Sequence, residues 1–386
     1  MVNYDFLSVY FYSVPNLRFP IFHFDWNENY FGNICTIRSG IGFKADEYVE
    51  QGVPLLKIDN VGYGNIKWNN ISYLPETYLK QYPFLKLNEN DIVLALNRPI
   101  TNNQLKISKL TSKDIPSILY QRVGKINVSS DYNLDYIYYL LTKNVFDFVL
   151  KTSIGSDQPF ISTENLKKLI MKVPTITEQQ KIGHFLSLID QRIQTQIKII
   201  DSYFSLSKAI SNTLIGQSKG NTRLRECLNC YSSNTMESVI KQEDLGDYPV
   251  YGANGIIKKI NNYEIEYPSI AIVKDGSGVG KIFKLSGKYS ILSTLNYLTS
   301  KPGYDIDYIY YALKQKSLKK YVVGSGIPHI YFKDYEQEKI YIPQNELQQH
   351  NITSVLQSID EEIGNEIKQL KNYELLKKYL LKNMFV

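Results

Sequence analysis

Three cysteines, Cys35, Cys227 and Cys230, are all that 386 residues contain, too few for a secreted scaffold built on disulfides. Cys227 and Cys230 have the CxxC spacing of zinc and redox sites, but no second CxxC or nearby histidine pair completes a four-ligand set. Two partly buried ordinary thiols are the simpler expectation. Histidine is also scarce: His23, His184, His329 and His350 are scattered, and no Ser/His/Asp grouping, HExxH sequence or paired-carboxylate motif accompanies them. Nothing here argues for an enzyme or a bound metal. No segment offers the roughly 18 uninterrupted apolar residues of a membrane span. The N-terminus has no basic region followed by a long apolar run either, so the chain is read as cytoplasmic, with no membrane partner.

Two short motifs invite nucleotide chemistry and fail on spacing. DGSGVGK (Asp275–Lys281) lacks the GxxxxGK[ST] of a phosphate loop and the GxGxxG of a dinucleotide fold, and its flanks are strand-like, so a hairpin turn is expected. NRPI (Asn97–Ile100) has Arg98 and Ile100 where an amino-methyltransferase tetrapeptide needs proline and an aromatic residue.

What the chain has in quantity is a repeat. From Pro174 to about Gln217, apolar residues at Ile182, Leu186, Ile189, Ile193, Ile197 and Ile200 form one stripe of a long amphipathic helix. The same register returns at Ile352, Leu356, Ile359, Ile363, Ile367 and Leu370, each 170 residues after its counterpart. Thr175 and Glu178 have capping-box spacing before the first helix, and Asn345 with Gln348 occupies the same place before the second. Gly216 and Gly220 end the first helix. Other parts recur as well: Asp135–Tyr139 as Asp307–Tyr311, Pro159–Ile161 as Pro328–Ile330, and Val173–Pro174 as Ile342–Pro343.

The segments before each helix read as mixed α/β domains. In the first, Val14–Trp26 is an extended aromatic clasp, Ile34 and Ile37 lie in strand, and Gly40 with Gly42 makes a turn. Val53–Ile58 and Asp91–Leu96 are buried strands, Asp135–Leu150 is helical, and a turn spans Gly155–Pro159. In the second, Tyr248–Ile260 and Ser269–Leu285 are strand–turn–strand units. The expected fold class is α+β: two mixed α/β domains and two long helices forming an antiparallel coiled coil, with an internal pseudo-twofold repeat. The boundaries are 1–174, 175–217, 218–343 and 344–386. Such pairing would set the domains at opposite ends of a rod.

Several stretches resemble the specificity subunit of type I restriction-modification systems: VPNLRFPIFHFDW, SGIGFK, GVPLLKIDNVGYG and NENDIVLALN in the first half, YPVYGANGII and IAIVKDGSGVGKIF in the second, and PTITEQQKI at the first helix entry. The resemblance covers essentially the whole chain. It implies a non-catalytic subunit in which each target recognition domain contacts one half of a bipartite double-stranded DNA sequence. It further implies partnership with methyltransferase subunits, two in number, and with restriction (translocase) subunits. S-adenosylmethionine, ATP and Mg are then expected on those partners, with no cofactor on this chain. The net charge of +6 is compatible with a polyanionic partner. Polar loop residues suited to base edges are Lys44, Asn60, Arg98, Asn102, Asn103, Gln104 and Gln158 in the first domain, and Asn254, Lys258, Lys259, Lys274, Ser277, Lys281 and His329 in the second. For each, a solvated loop residue or a phosphate contact is the plain alternative. For the whole chain, the alternatives are a two-domain coiled-coil scaffold or binding module without DNA specificity, and a self-contained modification enzyme.

Overall fold

The computed structural model describes residues 14–152, 160–240 and 246–386. It divides into two compact units, Met1–Thr195 with Leu370–Val386, and Gln196–Gln369. Each is built on one plan.

In the first unit an antiparallel sheet runs Cys35–Ser39, Val123–Val128, Ile92–Ala95, Ile107–Lys109. A second sheet places Val53–Leu56 parallel to Ser117–Leu119, with Tyr73–Leu74 and Lys86–Leu87 outside them. The strand Ile92–Ala95 is buried on both faces because side chains alternate across it. Ile92 and Leu94 join the core that holds the helix Leu134–Thr152, whereas Val93 and Ala95 join the core under the second sheet.

The second unit repeats this. Its sheet runs Leu228–Ser232, Leu295–Ser300, Ser269–Val273, Ile282–Leu285. A companion sheet sets Tyr248–Gly252 parallel to Ser290–Ile291 and antiparallel to Gly255–Ile260. Ile270 and Ile272 face the core of the helix Ile306–Lys314, and Ala271 faces the other core.

The repeat extends to individual hydrogen bonds. Tyr139 donates its hydroxyl proton to Asp190 at 2.8 Å, and Tyr311 donates to Asp360 at 2.9 Å. Gln179 Nε2 donates to the Pro174 carbonyl at 2.9 Å, and Gln349 Nε2 to the Pro343 carbonyl at 2.8 Å. Burial first, and the acidic partner after it, pushes both Tyr139 and Tyr311 well above the ordinary tyrosine range. Replacing either tyrosine by phenylalanine is therefore expected to lower stability by about 1.5–3 kcal/mol, the range for a hydrogen bond to a charged group. Thermal melts of the two single variants should show similar losses.

The long helices are Ile176–Ser211, continued by a π-turn to Gly216, and Glu346–Asn383. Within the first unit, Asp190 meets Lys377 at 2.6 Å while Ile182 and Leu186 share a core with Leu380 and Met384, so the helices run antiparallel. Within the second, Gln196 bonds Glu366 while Ile210 and Ile215 share a core with Ile352 and Leu356, the same sense. Ile182, Leu186, Ile193, Ile200, Ile352, Leu356 and Ile363 are buried, and Ile189, Ile359, Ile197 and Leu370 are half-buried. Ile367 departs from expectation at 47% exposed. Alternating steps of four and three from Ile182 lead through Ile193 to Gln196, and from Ile352 through Ile363 to Glu366. The seam thus takes a polar pair where the apolar pattern pointed to Ile197 and Ile367.

Local expectations are also corrected. Ile34 closes a short helix, Phe31–Ile34, and strand begins at Cys35. Gly40 does not turn the chain; a Cβ there would lie 2.4 Å from the Leu119 carbonyl oxygen, so backbone contact is what requires glycine. Glu178 does not form the capping box with Thr175. Its carboxylate accepts Arg18 Nε at 2.7 Å and Nη2 at 2.8 Å, with Trp26 Nε1 at 3.4 Å, tying the Val14–Trp26 clasp to the helix. Asn345 does cap the second helix, accepting Leu347 N–H at 2.9 Å. The expected turn at Gly155–Pro159 lies outside the described residues.

Candidate nucleic-acid interface

In both units the doubly buried strand runs out into a polar loop at the same point. Ile161 N–H donates to the Leu96 carbonyl at 2.8 Å and Phe160 bridges Asn97. In the second unit Ile330 N–H donates to the Lys274 carbonyl at 2.9 Å and His329 bridges Asp275. Arg98 and Gly276, each two residues farther on, both have positive φ, +45° and +91°. The two motifs that fail as nucleotide signatures are therefore equivalent loops of one repeat.

In the first unit the loop continues into a hairpin, Ile100–Thr101 against Gln104–Leu105, turned by Asn102 and Asn103. Arg98, Asn102, Asn103 and Gln104 are exposed there. A second loop, residues 57–69, comes beside it: Tyr63 Oη lies 2.5 Å from Thr101 Oγ1 and accepts Asn102 Nδ2 at 3.4 Å. Asn60 leaves the set of candidate base readers, because it is 1% exposed and its amide is spent on this loop, accepting Lys57 N–H at 3.0 Å and donating to the Lys67 carbonyl at 2.9 Å. Its bonds brace the ends of the loop that carries Tyr63. Lys44 is exposed elsewhere, at the N-cap of Ala45–Glu47, and no described contact brings it to the hairpin. Gln158 lies outside the described residues.

In the second unit, Lys281 Nζ donates to Asn254 Oδ1 at 3.4 Å, joining the turn between Tyr248–Gly252 and Gly255–Ile260 to the Gly276–Lys281 loop. His329 sits across Asp275 and against the Tyr331 ring at 5.1 Å. Ser277 is exposed and Lys274 half-buried on the same loop. Lys258 and Lys259 lie farther along the strand Gly255–Ile260. The structure thus groups Asn254, Lys274, Ser277, Lys281 and His329, while Lys258 and Lys259 pair with Val250 and Pro249 on the strand beyond the turn.

Sequence reasoning missed the aromatic and cationic surroundings. Lys67 stands 5.3 Å over the Tyr63 ring, and Lys106 Nζ donates to the Ile58 carbonyl at 2.7 Å. Burial lowers the Lys106 pKa, against the pull of Asp59 nearby. Lys333 lies 5.4 Å over Tyr331. A Tyr–Lys pair close in sequence, such as Tyr63 and Lys67, was the available signal, diluted by the 32 tyrosines of the chain. Chemically, both loop groups offer amides, hydroxyls and cations on a fixed backbone, which suits hydrogen-bonded recognition of a polyanion. Among the described residues no group of three or more His, Cys, Asp or Glu is placed to hold a metal ion. Cys227 and Cys230 are free, with burial pushing their thiols up to about 12 and about 11.

The family model for the type I restriction modification DNA specificity domain matches residues 25–201 and again 222–372. The specificity subunit of the type I restriction enzyme MjaVIII of Methanocaldococcus jannaschii is 42% identical over 193 residues, 50% of this chain and 45% of that protein. The EcoAI specificity subunit of Escherichia coli is 29% identical over 175 residues, 45% of this chain and 29% of that protein. The aligned part is therefore less than half the length of either relative. The type I restriction-modification S subunit from M. genitalium superposes with a TM-score of 0.63 at 18% identity, over 97% of this chain and 99% of that one, a likeness of fold. The two family matches fall on the two halves of the internal repeat and cover most of the chain, which belongs to the type I restriction-modification DNA specificity family.

Proposed function

We propose that this chain is the non-catalytic, DNA-reading subunit of a type I restriction-modification complex, with each of its two units recognising one half of a split target. The observation that carries this reading is the pair of exposed polar loops at the same topological point of two equivalent units, Arg98–Gln104 and Lys274–Lys281. Two copies of one reader with different loop residues suit a target whose halves differ in sequence. On this reading the recognition domains lie within 1–174 and 218–343, the partners are two methyltransferase subunits and the restriction subunits, and S-adenosylmethionine, ATP and Mg reside on those partners. On this reading the complex works on double-stranded DNA in the cytoplasm. Among the described residues no helix is long and apolar enough to cross a membrane.

The test is methylation mapping with the purified chain, with a methyltransferase subunit, and with both together. The expected result is adenine methylation at a split motif only with both present. Activity of the chain alone would make it an enzyme, and indifference of the mixture to DNA sequence would leave the scaffold reading. Exchanging residues 218–343 for the matching segment of a relative should then alter one half of the motif and leave the other intact.

A further inference from the structure

Resting on the DNA-reading role just proposed, we infer that the first unit reads its half-site with the hairpin Ile100–Leu105, a two-stranded ribbon whose amide tip selects adenine in the major groove. The hairpin is an addition to the shared plan. In the second unit the strands Ser269–Val273 and Ile282–Leu285 are joined by a glycine-rich loop that contains no strand pair. The two units therefore read with different devices.

The tip is built to be rigid. Asn102 and Asn103 have φ of +51° and +56°, the left-handed values that a two-residue type I′ turn requires at both positions. Asparagine tolerates that region better than most residues, which explains the Asn-Asn pair where glycine is more usual. Beneath the tip, Tyr63 holds Thr101 and Asn102. The loop carrying Tyr63 is in turn fixed by Gly64 N–H to the Ile107 carbonyl at 2.8 Å, by Ser108 Oγ to the Asn65 carbonyl at 2.8 Å, and by Lys106. A hairpin that only covered solvent would need none of this bracing. Recognition does, because a reader held in place before binding loses less entropy on binding.

The chemistry of the tip is equally specific. Asn102, Asn103 and Gln104 are three successive exposed amides, and among the described residues the side chains of Asn103 and Gln104 make no hydrogen bond. A planar amide offers one donor and one acceptor side by side, the complement of adenine N7 and N6 in the major groove, and that groove admits a two-stranded β-ribbon. Arg98 and Lys67 at the base of the ribbon supply charge for the flanking phosphates, which fix register without adding sequence information. Asp59, near Lys106, is the acidic neighbour they must outweigh.

The experiment uses the reconstituted chain–methyltransferase complex and compares the parent motif with those of Asn103→Gly and Gln104→Ala, which keep the turn while removing amides. Discrimination at one or two adenine positions should fall by roughly 5- to 150-fold per amide lost, in one half-site only. Lys67→Ala should weaken binding to all sequences alike and reduce the salt slope by about one. Melting curves matched to the parent establish that the variants are folded. An unchanged motif in both amide variants would overturn the ribbon while leaving the split motif, and hence the DNA-reading role, intact. Relaxation at G·C positions alone would overturn the adenine assignment. A parent complex with no split motif would remove the proposed function itself and this inference with it.

Discussion

Removing residues 370–386 is expected to unfold the N-terminal unit and spare the one that precedes the deletion in sequence. Leu380, Met384 and Phe385 are buried in the same core as Trp26, Tyr136 and Leu140, and the Phe385 ring packs 5.5 Å from that of Tyr136. Leu17 N–H donates to the Asn383 carbonyl at 2.8 Å, so the clasp is also anchored there. Truncating one such side chain, Phe385→Ala, should cost about 3–5 kcal/mol through lost burial and the cavity left behind. Losing three together approaches the whole stability of an ordinary domain, about 5–15 kcal/mol. Hydrogen exchange resolved by peptide is the measurement. Protection should collapse across the strands Ile92–Ala95 and Val123–Val128 and persist across Ser269–Val273. Equal loss in both units, or loss confined to the second, would contradict the assignment of this segment to the first core.

Arg18→Ala is expected to be the most damaging single change at a residue outside the apolar core. Glu178 is 1% exposed, and its charge is matched by the two-pronged guanidinium contact and by Trp26. Removing the arginine strands a buried carboxylate, which typically costs about 3–5 kcal/mol. Arg18→Lys should recover only part of this, since an ammonium cannot make the paired contact. Adding Glu178→Gln to Arg18→Ala should recover more than half, because the charge left without a partner is then gone. Chemical denaturation of the three variants checks the order. The second unit has no such dependence: Gln348, the counterpart of Glu178, is neutral and exposed.

Much of the fold could be read from the residues, because apolar periodicity and the 170-residue repeat report burial directly. The buried strands, the hairpins around Asn254 and Gly276, and the pairing of the long helices all rest on that pattern. What was not legible depended on partners distant in sequence. Glu178 at helix position three reads as a local cap until Arg18, 160 residues away, is placed beside it. Gln196 and Glu366 look like surface residues because hydropathy does not register a seam position filled by a polar pair. Asn60 shows how the candidate site was misjudged: an asparagine in a polar loop is suited to a base edge, but also to satisfying the carbonyls of its own loop, and the latter is its place. Arg98, Asn102, Asn103 and Gln104 were found together because the turn chemistry that exposes them is local.

The ownership of the last seventeen residues, Leu370–Val386, by the first unit has a consequence for biosynthesis. Gln196–Gln369 is contiguous, whereas the unit begun first is incomplete until Leu370–Val386 has followed it out of the ribosome. The half-made N-terminal unit therefore leaves Tyr136 and its neighbours short of Leu380 and Phe385 for the whole time the second is being translated. Nascent chains that stop at residue 369 and are extended by an unrelated linker long enough to carry that residue out of the ribosome should resist protease across Gln196–Gln369 and be cut within residues 14–195, the reverse of the order in which the two were made.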